Sequence, residues 1–520
     1  MTGNIWDQRL GAWWIGEDHP DAPAIADSPE GSWSYGRLTA SAHQLVHTFR
    51  SLGVKAGAIV AVLAPNGVLP IRVSLACHEG GFNLLLVNSY LTPDELVVML
   101  GHAKPALLIV HERHADIIAG AAGARIRAST TVLGVGDVPG ALDLDLLTAS
   151  QPATLPPDRR AGGLIAYSSG TTGEPKGITR RGSGGDPAEA ANRGALFGRA
   201  FDFRPFEGPH LVSTAMYHGG SHSYYMGALH VGHALVIMPR FDAEQSLHLI
   251  EQFAVRSAYM VATQFHRLLQ LPAAVRESYD VSSLHSVVHS AAPCPRHVKQ
   301  AMFDWWGPVI WETYGGMEGA ATIAKPLRWL EKPGTVGRAI RGVRLSILDD
   351  AGQPLGPNQT GNIFYETEDG FSYLHDAEQT RKAHRGTQFT IGDIGYVDDD
   401  GYLFIQDRAK DMIISGGVNI FPSEIEAVLL RHPGVGDVAV IGIPDDDWGE
   451  QVLAVVQPAP GTDGPAELTA ALHAHCAEHL AAYKRPRRIE FRDNLPRTDA
   501  GKLYKRRIRD EYWAALARQV

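Results

Sequence analysis

The chain has 520 residues, of which 44% are hydrophobic and 20% are charged, as in a globular protein that is too long for one ordinary core. Its formal net charge of −10 argues against nucleic acid as the main partner, because duplex binding depends on clustered cations. The three cysteines lie far apart in the sequence, which excludes a disulfide framework and a CxxC metal site and favours a reducing compartment.

The sequence shows no pattern typical of export or membrane insertion. The first residues, MTGNIWDQRLGAWW, lack the basic region and apolar core of a signal peptide. No apolar run reaches the roughly 18 residues that a transmembrane helix needs. We therefore expect a cytoplasmic protein.

Apolar runs of strand length alternate with longer amphipathic runs in the first part of the chain. The strand-like runs are AIVAVLA, FNLLLV and PALLIVHE, and the helical runs between them are LPIRVSLACHEGG and TPDELVVMLGHAK. This alternation predicts α/β layers around a parallel sheet.

The later part of the chain changes character twice. The segment VRLSILDDAGQPLGPNQTGNIFYET reads as short strands and turns, which predicts a smaller β-rich portion. The last stretch alternates again, through SEIEAVLLRHP, VGDVAVIGIPD, QVLAVVQP and AELTAALHAHCAEHL, and is long enough for a compact α+β domain. We therefore predict a large α/β region with its β-rich portion at residues 1–408 and a small α+β domain at residues 409–520.

A loop rich in glycine and hydroxyl groups, YSSGTTGEPKG, spans residues 167–177. One interpretation is a flexible linker, which this composition favours. The other is a phosphate-binding loop, because the preceding GLIAY resembles the end of a buried strand and glycines after a strand let backbone N–H groups and a lysine approach an anion. The loop does not match the Walker A pattern, since Pro175 precedes Lys176 and Gly177 follows it.

Four further segments combine glycine with polar residues: ETYGGMEG, IGDIGYVDDDGY, DRAKDMIISGGVNIFPSEIE and LPRTDAGKLYKRR. Each by itself is consistent with an ordinary loop or hairpin turn. In this order, together with the glycine-rich loop, they resemble the motifs of the adenylate-forming superfamily of acyl-CoA synthetases, nonribosomal-peptide adenylation domains and luciferases. The resemblance covers nearly the whole chain. It implies a large N-terminal region and a small C-terminal domain that rotates between two half-reactions.

The resemblance implies how ATP is bound. Tyr314 would stack on the adenine, while Asp393 would accept hydrogen bonds from both ribose hydroxyls with Arg408 nearby. The β- and γ-phosphates would be held by Ser168, Ser169, Gly170, Thr171, Thr172, Gly173 and Lys176. The other residues expected around the nucleotide are Ala291, Ala292 and Pro293, as the wall opposite the tyrosine, and Glu312, Gly315 and Met317.

The resemblance also implies catalytic groups. Glu318 would hold Mg²⁺, a hard cation that prefers a carboxylate together with phosphate oxygens. Lys502 and Lys176 would neutralise charge as the carboxylate of the acid attacks the α-phosphorus. Lys410 would be the hinge, and rotation there would withdraw Lys502 from the nucleotide.

The predicted small domain matches the CoA-binding pattern of some acyl-CoA synthetases. The tryptophan of PDDDWGE corresponds to one that stacks on the CoA adenine, and YKRPR corresponds to a basic turn that binds the CoA phosphates. The residues expected to contact CoA are Gly416, Gly417, Trp448, Tyr483, Arg485 and Arg487. A solvated face and a nucleic-acid patch are the alternatives for the basic segment, and the acidic chain together with the match to the CoA pattern disfavours both.

The acid is only broadly defined by the sequence. His218 in MYHGG would gate the acyl pocket, unless it is an ordinary hydrogen-bonded core histidine. Gly219, Gly220 and Gly316 would leave volume in that pocket. The pattern is nearest to enzymes for fatty, bile-acid-like and other alicyclic acids, so we expect a long or bulky hydrophobic acid, polycyclic acids included.

One residue departs from the family's YGxTE pattern. Met317 stands where the family has a threonine whose hydroxyl donates to the α-phosphate. Because a thioether cannot donate, we hypothesise weak adenylation and a specialisation for the thioester step, with acyl-adenylate supplied by a separate ligase. The alternative is that a neighbouring donor replaces the hydroxyl.

Three functions stay open at this point. They are an AMP-forming acyl-CoA ligase, an acyl-AMP ligase that loads a carrier protein, and a catalytically silent relative that only binds nucleotide. The presence of Lys176, Glu318, Asp393 and Lys502 argues against the third. We expect ATP, Mg²⁺, CoA and a small carboxylic acid as ligands and a weakly held homodimer.

Overall fold

The structure, a computed structural model, describes most of the chain. The described residues are Trp6 and 8–168, 176–180, 184–292, 294–367, 370–416, 418–445, 447–462, 464–497 and 503–517. Among them, no helix combines the length and the apolar character that crossing a membrane requires.

Residues 12–149 alternate strands with helices, as the sequence predicts. The helices are α1 (Ala12–Asp18), α2 (Tyr35–Ser51), α3 (Val68–Gly80), α4 (Pro93–Ala103), α5 (Gly120–Arg127) and α6 (Leu144–Ala149). The strands are β1 (Pro23–Asp27), β2 (Trp33–Ser34), β3 (Ile59–Leu63), β4 (Asn83–Leu86), β5 (Leu107–His111), β6 (Thr131–Val135) and β7 (Leu142–Asp143). The predicted parallel sheet is confirmed, because Val60 pairs in parallel with Leu84 on one side and with Leu107 on the other.

Residues 163–339 continue this pattern. The strands are β8 (Gly163–Ser168), β9 (Lys176–Arg180), β10 (His210–Val212), β11 (Leu235–Ile237), β12 (Ser257–Met260), β13 (Ser286–His289), β14 (Ile310–Gly316), β15 (Gly319–Ala324) and β16 (Arg338–Ala339). The helices are α7 (Pro187–Ala200), α8 (Gly219–His230), α9 (Ala243–Phe253), α10 (Ala262–Leu269), α11 (Ala273–Glu277), α12 (Arg296–Trp306) and α13 (Pro326–Glu331).

The rest of the chain holds the predicted β-rich portion and the C-terminal unit. The first contains β17 (Arg344–Leu348), β18 (Gly361–Glu366), β19 (Ser372–Tyr373), α14 (Ala377–Ala383), β20 (His384–Arg385), β21 (Gln388–Phe389), β22 (Asp393–Val397) and β23 (Leu403–Arg408). The second contains β24 (Ile413–Ser415), β25 (Val418–Ile420), α15 (Pro422–Leu429), β26 (Val435–Asp445), β27 (Gly449–Pro458), α16 (Pro465–His479), β28 (Arg488–Phe491) and α17 (Lys505–Ala517).

The strands of the described residues are arranged in separate sheets. Two large sheets have the orders β19-β9-β8-β4-β3-β5-β6-β7 and β16-β15-β14-β13-β12-β10-β11-β1-β2. A third sheet contains β17, β18 and β20 to β23, and a fourth contains β24 to β28. Sheet membership therefore changes between Arg408 and Ile413, and the predicted domain boundary after residue 408 falls at this change.

Two helices, α4 and α8, begin in different ways. The backbone N–H of Thr92 donates to Glu95 Oε2 at 2.8 Å, and the N–H of Glu95 donates back to Thr92 Oγ1 at 3.3 Å. This capping box, with Pro93 as the first helical residue, starts α4. Helix α8 starts differently, at Gly219, with His218 preceding it in an extended conformation and no side-chain cap.

Buried histidines make the stability of this fold sensitive to acid. Burial lowers the pKa of His210 and His230 to about 3 and that of His78 to about 4. In the unfolded chain these histidines take up a proton near pH 6.5, whereas in the folded protein they stay neutral to a much lower pH. Their contribution to the free energy of unfolding is therefore complete above pH 6.5 and is lost as the pH falls. At pH 5 the loss is up to ~2 kcal/mol for each histidine. Chemical denaturation between pH 7 and pH 5 measures this loss, and an unchanged midpoint would contradict it.

Candidate active site

Three side chains that the sequence assigns to the nucleotide meet at one point. The Tyr314 hydroxyl donates to Asp393 Oδ2 at 2.9 Å, and Arg408 Nε lies 3.3 Å from Asp393 Oδ1. The Asp393 carboxylate is buried, whereas 34% of the Arg408 side chain is exposed. The structure thus brings together the residues predicted for the adenine and the ribose.

Strand pairing explains this meeting. Asp393 begins β22 and Arg408 ends β23, and the two residues are directly opposite in the antiparallel pair. Tyr314 lies on β14, just before Gly315 and Gly316. Burial raises the pKa of Tyr314 well above its ordinary value, and the Asp393 carboxylate raises it further. The phenol therefore stays protonated and remains a hydrogen-bond donor.

The predicted adenine wall lies where a parallel strand ends. Ala291 follows β13 and has a φ of +73°, a left-handed conformation that alanine rarely adopts. In open α/β sheets, ligands bind at the carboxyl ends of parallel strands, and strained backbone concentrates at such sites. Ala292 is half-buried beside it, and Pro293 lies outside the described residues.

Glu312, which was predicted to contact the nucleotide, has a different surrounding. Its carboxylate accepts a hydrogen bond from Lys299 Nζ at 2.5 Å, and His289 Nε2 lies 3.3 Å from its other oxygen. Burial raises the pKa of Glu312, but Lys299 and His289 outweigh burial and lower that pKa to about 2. The carboxylate is thus held inside a buried ion pair with Lys299 and beside His289.

Glu318 occupies a tight turn between two strands. Gly316 at the end of β14 pairs with Gly319 at the start of β15, so Met317 and Glu318 are the two turn residues. The hydroxyl of Tyr373 donates to Glu318 Oε1 at 3.4 Å. Tyr373 was not predicted from the sequence.

The phosphate side of the site is described in part. Residues Ser169, Gly170, Thr171, Thr172 and Gly173 lie outside the described residues, as do Gly417 and Lys502. Both flanks of the glycine-rich loop are strands, because β8 ends at Ser168 and pairs with β9, which begins at Lys176. The strand predicted from GLIAY is therefore confirmed. The two strands that flank the glycine-rich segment pair in one sheet, so the segment does not join separate domains.

The site suits a cation that needs few protein ligands. Among the described residues, no group of three or more His, Cys, Asp or Glu side chains is placed to hold a metal ion. Mg²⁺ often takes only one or two carboxylates and completes its shell with substrate phosphates and water. Glu318 fits this requirement.

Side chains of the protein lie close to the glycines of the predicted acyl pocket. A Cβ atom built on Gly219 would stand 2.5 Å from Met317 Cε and closer still to its sulfur. A Cβ atom on Gly220 would stand 3.1 Å from the Tyr259 hydroxyl, and one on Gly316 would clash with the Glu318 carboxylate. Side chains of the protein thus occupy the space beside these glycines, and their place in the acyl pocket stays a prediction.

His218 is the remaining residue predicted for the acyl pocket. It precedes α8 directly, and its ring is tilted against that of Tyr217 with 4.3 Å between centroids. Behind it, Tyr224 of α8 stacks on Tyr259 of β12, with 4.4 Å between ring centroids. This stacked aromatic pair is buried, and its Tyr259 hydroxyl lies beside Gly220.

The predicted CoA residues Trp448 and Gly416 lie against each other. Gly416 has a φ of +57°, and a Cβ atom there would stand 2.5 Å from Trp448 Cε3, so only glycine fits this turn. The indole is 47% exposed, and the Arg487 guanidinium lies 4.7 Å from its centre. Tyr483 is 53% exposed on the same unit.

The structure gives Arg485 a role that differs from the predicted contact with CoA. Its guanidinium donates to the carbonyls of Leu480 and Ala477, both at 2.9 Å. These carbonyls lie at the C-terminal end of α16, where a cation satisfies unpaired acceptors and the helix dipole. Arg485 is therefore a helix cap.

This difference gives a paired prediction. Trp448→Ala should raise the KM for CoA about tenfold while leaving adenylation unchanged, because stacking of a base on an aromatic ring contributes roughly 1–3 kcal/mol. Arg485→Ala should instead lower the melting temperature and leave the KM for CoA nearly unchanged. Steady-state kinetics and thermal unfolding of both variants distinguish these outcomes. A larger CoA effect for Arg485→Ala than for Trp448→Ala would contradict the assignment.

The predicted hinge is held by the C-terminal helix. Arg509 of α17 donates to the carbonyl oxygen of Lys410 at 3.2 Å, and its other nitrogen lies 3.1 Å from Glu450 Oε1. Burial lowers the pKa of Lys410, and the charge of Arg408 lowers it further. Just before the hinge, Asp407 Oδ2 accepts from the backbone N–H of Ser423 at 2.9 Å.

Comparisons with known proteins cover nearly the whole chain. Residues 12–371 match the family described as AMP-binding enzyme, and residues 424–502 match the AMP-binding enzyme C-terminal domain. The chain is 32% identical over 494 residues to the 2-succinylbenzoate–CoA ligase of Geobacillus kaustophilus, covering 94% of this chain and 95% of that protein. It is 28% identical to the fatty acid–[acyl-carrier-protein] ligase ScoC of Streptomyces coeruleorubidus, covering 97% and 96%. The solved structure of the anthranilate CoA ligase AuaEII with anthranoyl-AMP matches with a TM-score of 0.84 and 26% identity, covering 99% and 100%.

Proposed function

Because the chain belongs to the family of AMP-binding enzymes, as an adenylate-forming acyl-CoA ligase that uses ATP, Mg²⁺ and CoA, we propose that it converts a bulky hydrophobic carboxylic acid to its CoA thioester. The observation that carries the proposal is a pair of separate aromatic sites for a nucleotide. Tyr314 lies beside Asp393 in the large region, and Trp448 lies exposed in the small domain. An enzyme that binds both ATP and CoA needs two such surfaces.

The reaction has two half-reactions. A carboxylate oxygen of the acid attacks the α-phosphorus of ATP, and pyrophosphate leaves as the acyl-adenylate forms. The thiolate of CoA then attacks the acyl carbonyl carbon, and AMP leaves as the thioester forms. Rotation about Lys410 would exchange the residues that face the adenylate between these steps.

The residues of this chain bind and orient the reactants. Asp393 would accept hydrogen bonds from the ribose, with Arg408 as a neighbouring donor and Tyr314 against the adenine. Lys176 and Lys502 would neutralise the charge that develops on the phosphates. Mg²⁺ held by Glu318 would supply further neutralisation of the β- and γ-phosphate oxygens.

The geometry favours ring-containing acids over long chains. A Cβ atom on Gly219 would collide with Met317, and one on Gly220 would stand 3.1 Å from the Tyr259 hydroxyl, so side chains of the protein lie beside both glycines. Tyr259 stacks on Tyr224, and these rings supply apolar aromatic surface near Gly220 against which a ring of the acid would pack. Two of the similar proteins are ligases for acids with an aromatic ring, 2-succinylbenzoate and anthranilate, which supports the same class of substrate.

Met317 also bears on the balance between the half-reactions. It cannot donate the hydrogen bond that a threonine hydroxyl provides at this position. We propose that adenylation is therefore slow relative to thioester formation, and that a separate ligase is a source of acyl-adenylate.

A carrier-protein ligase is the second candidate, and it is favoured by the similarity to ScoC. A panel of aromatic, polycyclic and long-chain acids, assayed for AMP release with and without CoA, separates the two functions. We expect AMP release that depends on CoA and on a ring-containing acid. AMP release that is indifferent to CoA but increases with an acyl carrier protein would favour the second candidate.

A further inference from the structure

Tyr373 lies on a short strand that anchors the phosphate loop. This strand, β19, pairs antiparallel with β9, so that Tyr373 is opposite Ile178. The next backbone N–H, of Leu374, donates to the carbonyl oxygen of Gly177 at 2.7 Å. The ring of Phe371 packs edge-on against Tyr373, with 5.3 Å between centroids. Tyr373 is thus fixed beside the residue with which the predicted loop ends.

Both charged groups of the predicted phosphate site face this tyrosine. Its hydroxyl donates to Glu318 Oε1 at 3.4 Å, and the Lys176 ammonium lies 6.0 Å from the centre of its ring. In this contact the hydroxyl is the donor and the carboxylate is the acceptor.

Glu318 needs such support because of where it lies. It is one of two residues at the tip of the turn between β14 and β15, and a long side chain at a turn tip has several rotamers. The carboxylate also lies so close to Gly316 that a Cβ atom there would collide with Oε2. The glycine thus makes room for Oε2, and the tyrosine hydroxyl binds Oε1.

We propose that Tyr373 is the positioning residue of the cation site, holding the Glu318 carboxylate in register with Lys176. The inference rests on the proposed function, since it concerns the cation that accompanies ATP. Hydrogen-bonded partners of metal-binding carboxylates commonly change metal affinity by about 10- to 100-fold. Tyr373 itself touches neither substrate nor cation in this role.

The test is Tyr373→Phe, which keeps the ring beside Lys176 and removes only the hydroxyl. Electron paramagnetic resonance of Mn²⁺ bound with a non-hydrolysable ATP analogue should show about tenfold weaker cation binding. The Mg²⁺ concentration for half-maximal ATP–pyrophosphate exchange should rise by a similar factor. Thioester formation from synthetic acyl-adenylate should not change, because it needs no phosphate-bound cation.

Two controls make the result specific. Tyr279→Phe removes an equivalent hydrogen bond, from Tyr279 to Glu244 at 3.1 Å, on an exposed surface, and should leave Mn²⁺ binding unchanged. In a Glu318→Gln background, Tyr373→Phe should have no further effect, because the two residues act through one contact. Equal Mn²⁺ affinity in the native protein and in Tyr373→Phe would overturn the role of Tyr373 alone. A native protein that binds no Mn²⁺ with the nucleotide would overturn the proposed function as well.

Discussion

Lys502→Ala is expected to reduce ATP–pyrophosphate exchange by about 100- to 1,000-fold, the range found when one preorganised charge-stabilising group is removed from an active site. Thioester formation from supplied acyl-adenylate is expected to continue. The reason is that, in the proposed mechanism, the two half-reactions would use different faces of a rotating small domain, so one lysine would serve only one of them.

The residues on both sides of Lys502 have defined contacts. Lys502 itself lies outside the described residues, but both flanks of its loop are held. Arg497 bridges to Leu503 across the loop, and the Arg497 guanidinium donates twice to the Asp437 carboxylate at 2.6 Å. The described residues on both sides of Lys502 are thus tied to the small domain.

The neighbouring Lys505 is the matched control. Its ammonium lies 2.8 Å from Glu426 Oε1 in the interior of the small domain, so Lys505→Ala should lower the melting temperature and weaken both half-reactions together. If Lys502→Ala behaved like Lys505→Ala and also failed with preformed adenylate, Lys502 would be structural. Single-turnover assays of each half-reaction measure the difference.

Met317→Thr is expected to accelerate adenylation by about one to two powers of ten. A hydrogen bond to a charged group contributes roughly 1.5–3 kcal/mol, and each ~1.4 kcal/mol is a factor of ten in rate. The same change shortens the side chain that now lies over Gly219, so it should also admit larger acids. Two effects are therefore mixed in this one substitution.

Met317→Ala separates the two effects. Alanine opens the space over Gly219 without supplying a hydroxyl, so it should broaden the range of acids and leave exchange slow. Gly219→Ala should impair the native enzyme and should be rescued by Met317→Ala, because the added methyl group would occupy the vacated space. Fast exchange in the native enzyme that Met317→Thr does not improve would refute slow adenylation.

Much of the fold follows from the periodicity of the sequence. The run AIVAVLA forms β3 and the run LPIRVSLACHEGG forms α3. The two runs can be told apart because strands and helices bury apolar residues at different spacings. The C-terminal runs became α15, β26, β27 and α16 for the same reason. Pairing between distant strands, such as β19 with β9, has no comparable signal in a single sequence.

The site was less predictable than the fold. The meeting of Tyr314, Asp393 and Arg408 agrees with the motif order, but the donation from Tyr373 to Glu318 depends on two segments 55 residues apart. Arg485 shows a different limit of sequence analysis. It lies in a segment that resembles a CoA-binding motif, but its guanidinium binds a carbonyl oxygen at the end of α16. Glycines posed a related difficulty: a sequence shows that a side chain is missing and does not show what occupies its space.

The ion pair between Asp393 and Arg408 has a thermodynamic consequence. Arg408 lies two residues before Lys410, so the ion pair links the proposed ribose-binding carboxylate to the backbone beside the proposed pivot. A nucleotide that competes for the Asp393 carboxylate changes what holds Arg408, and through it the preferred orientation of the small domain. Such coupling is reciprocal, because the orientation must alter nucleotide affinity by the same factor. The release of AMP and the orientation of the small domain are then thermodynamically linked.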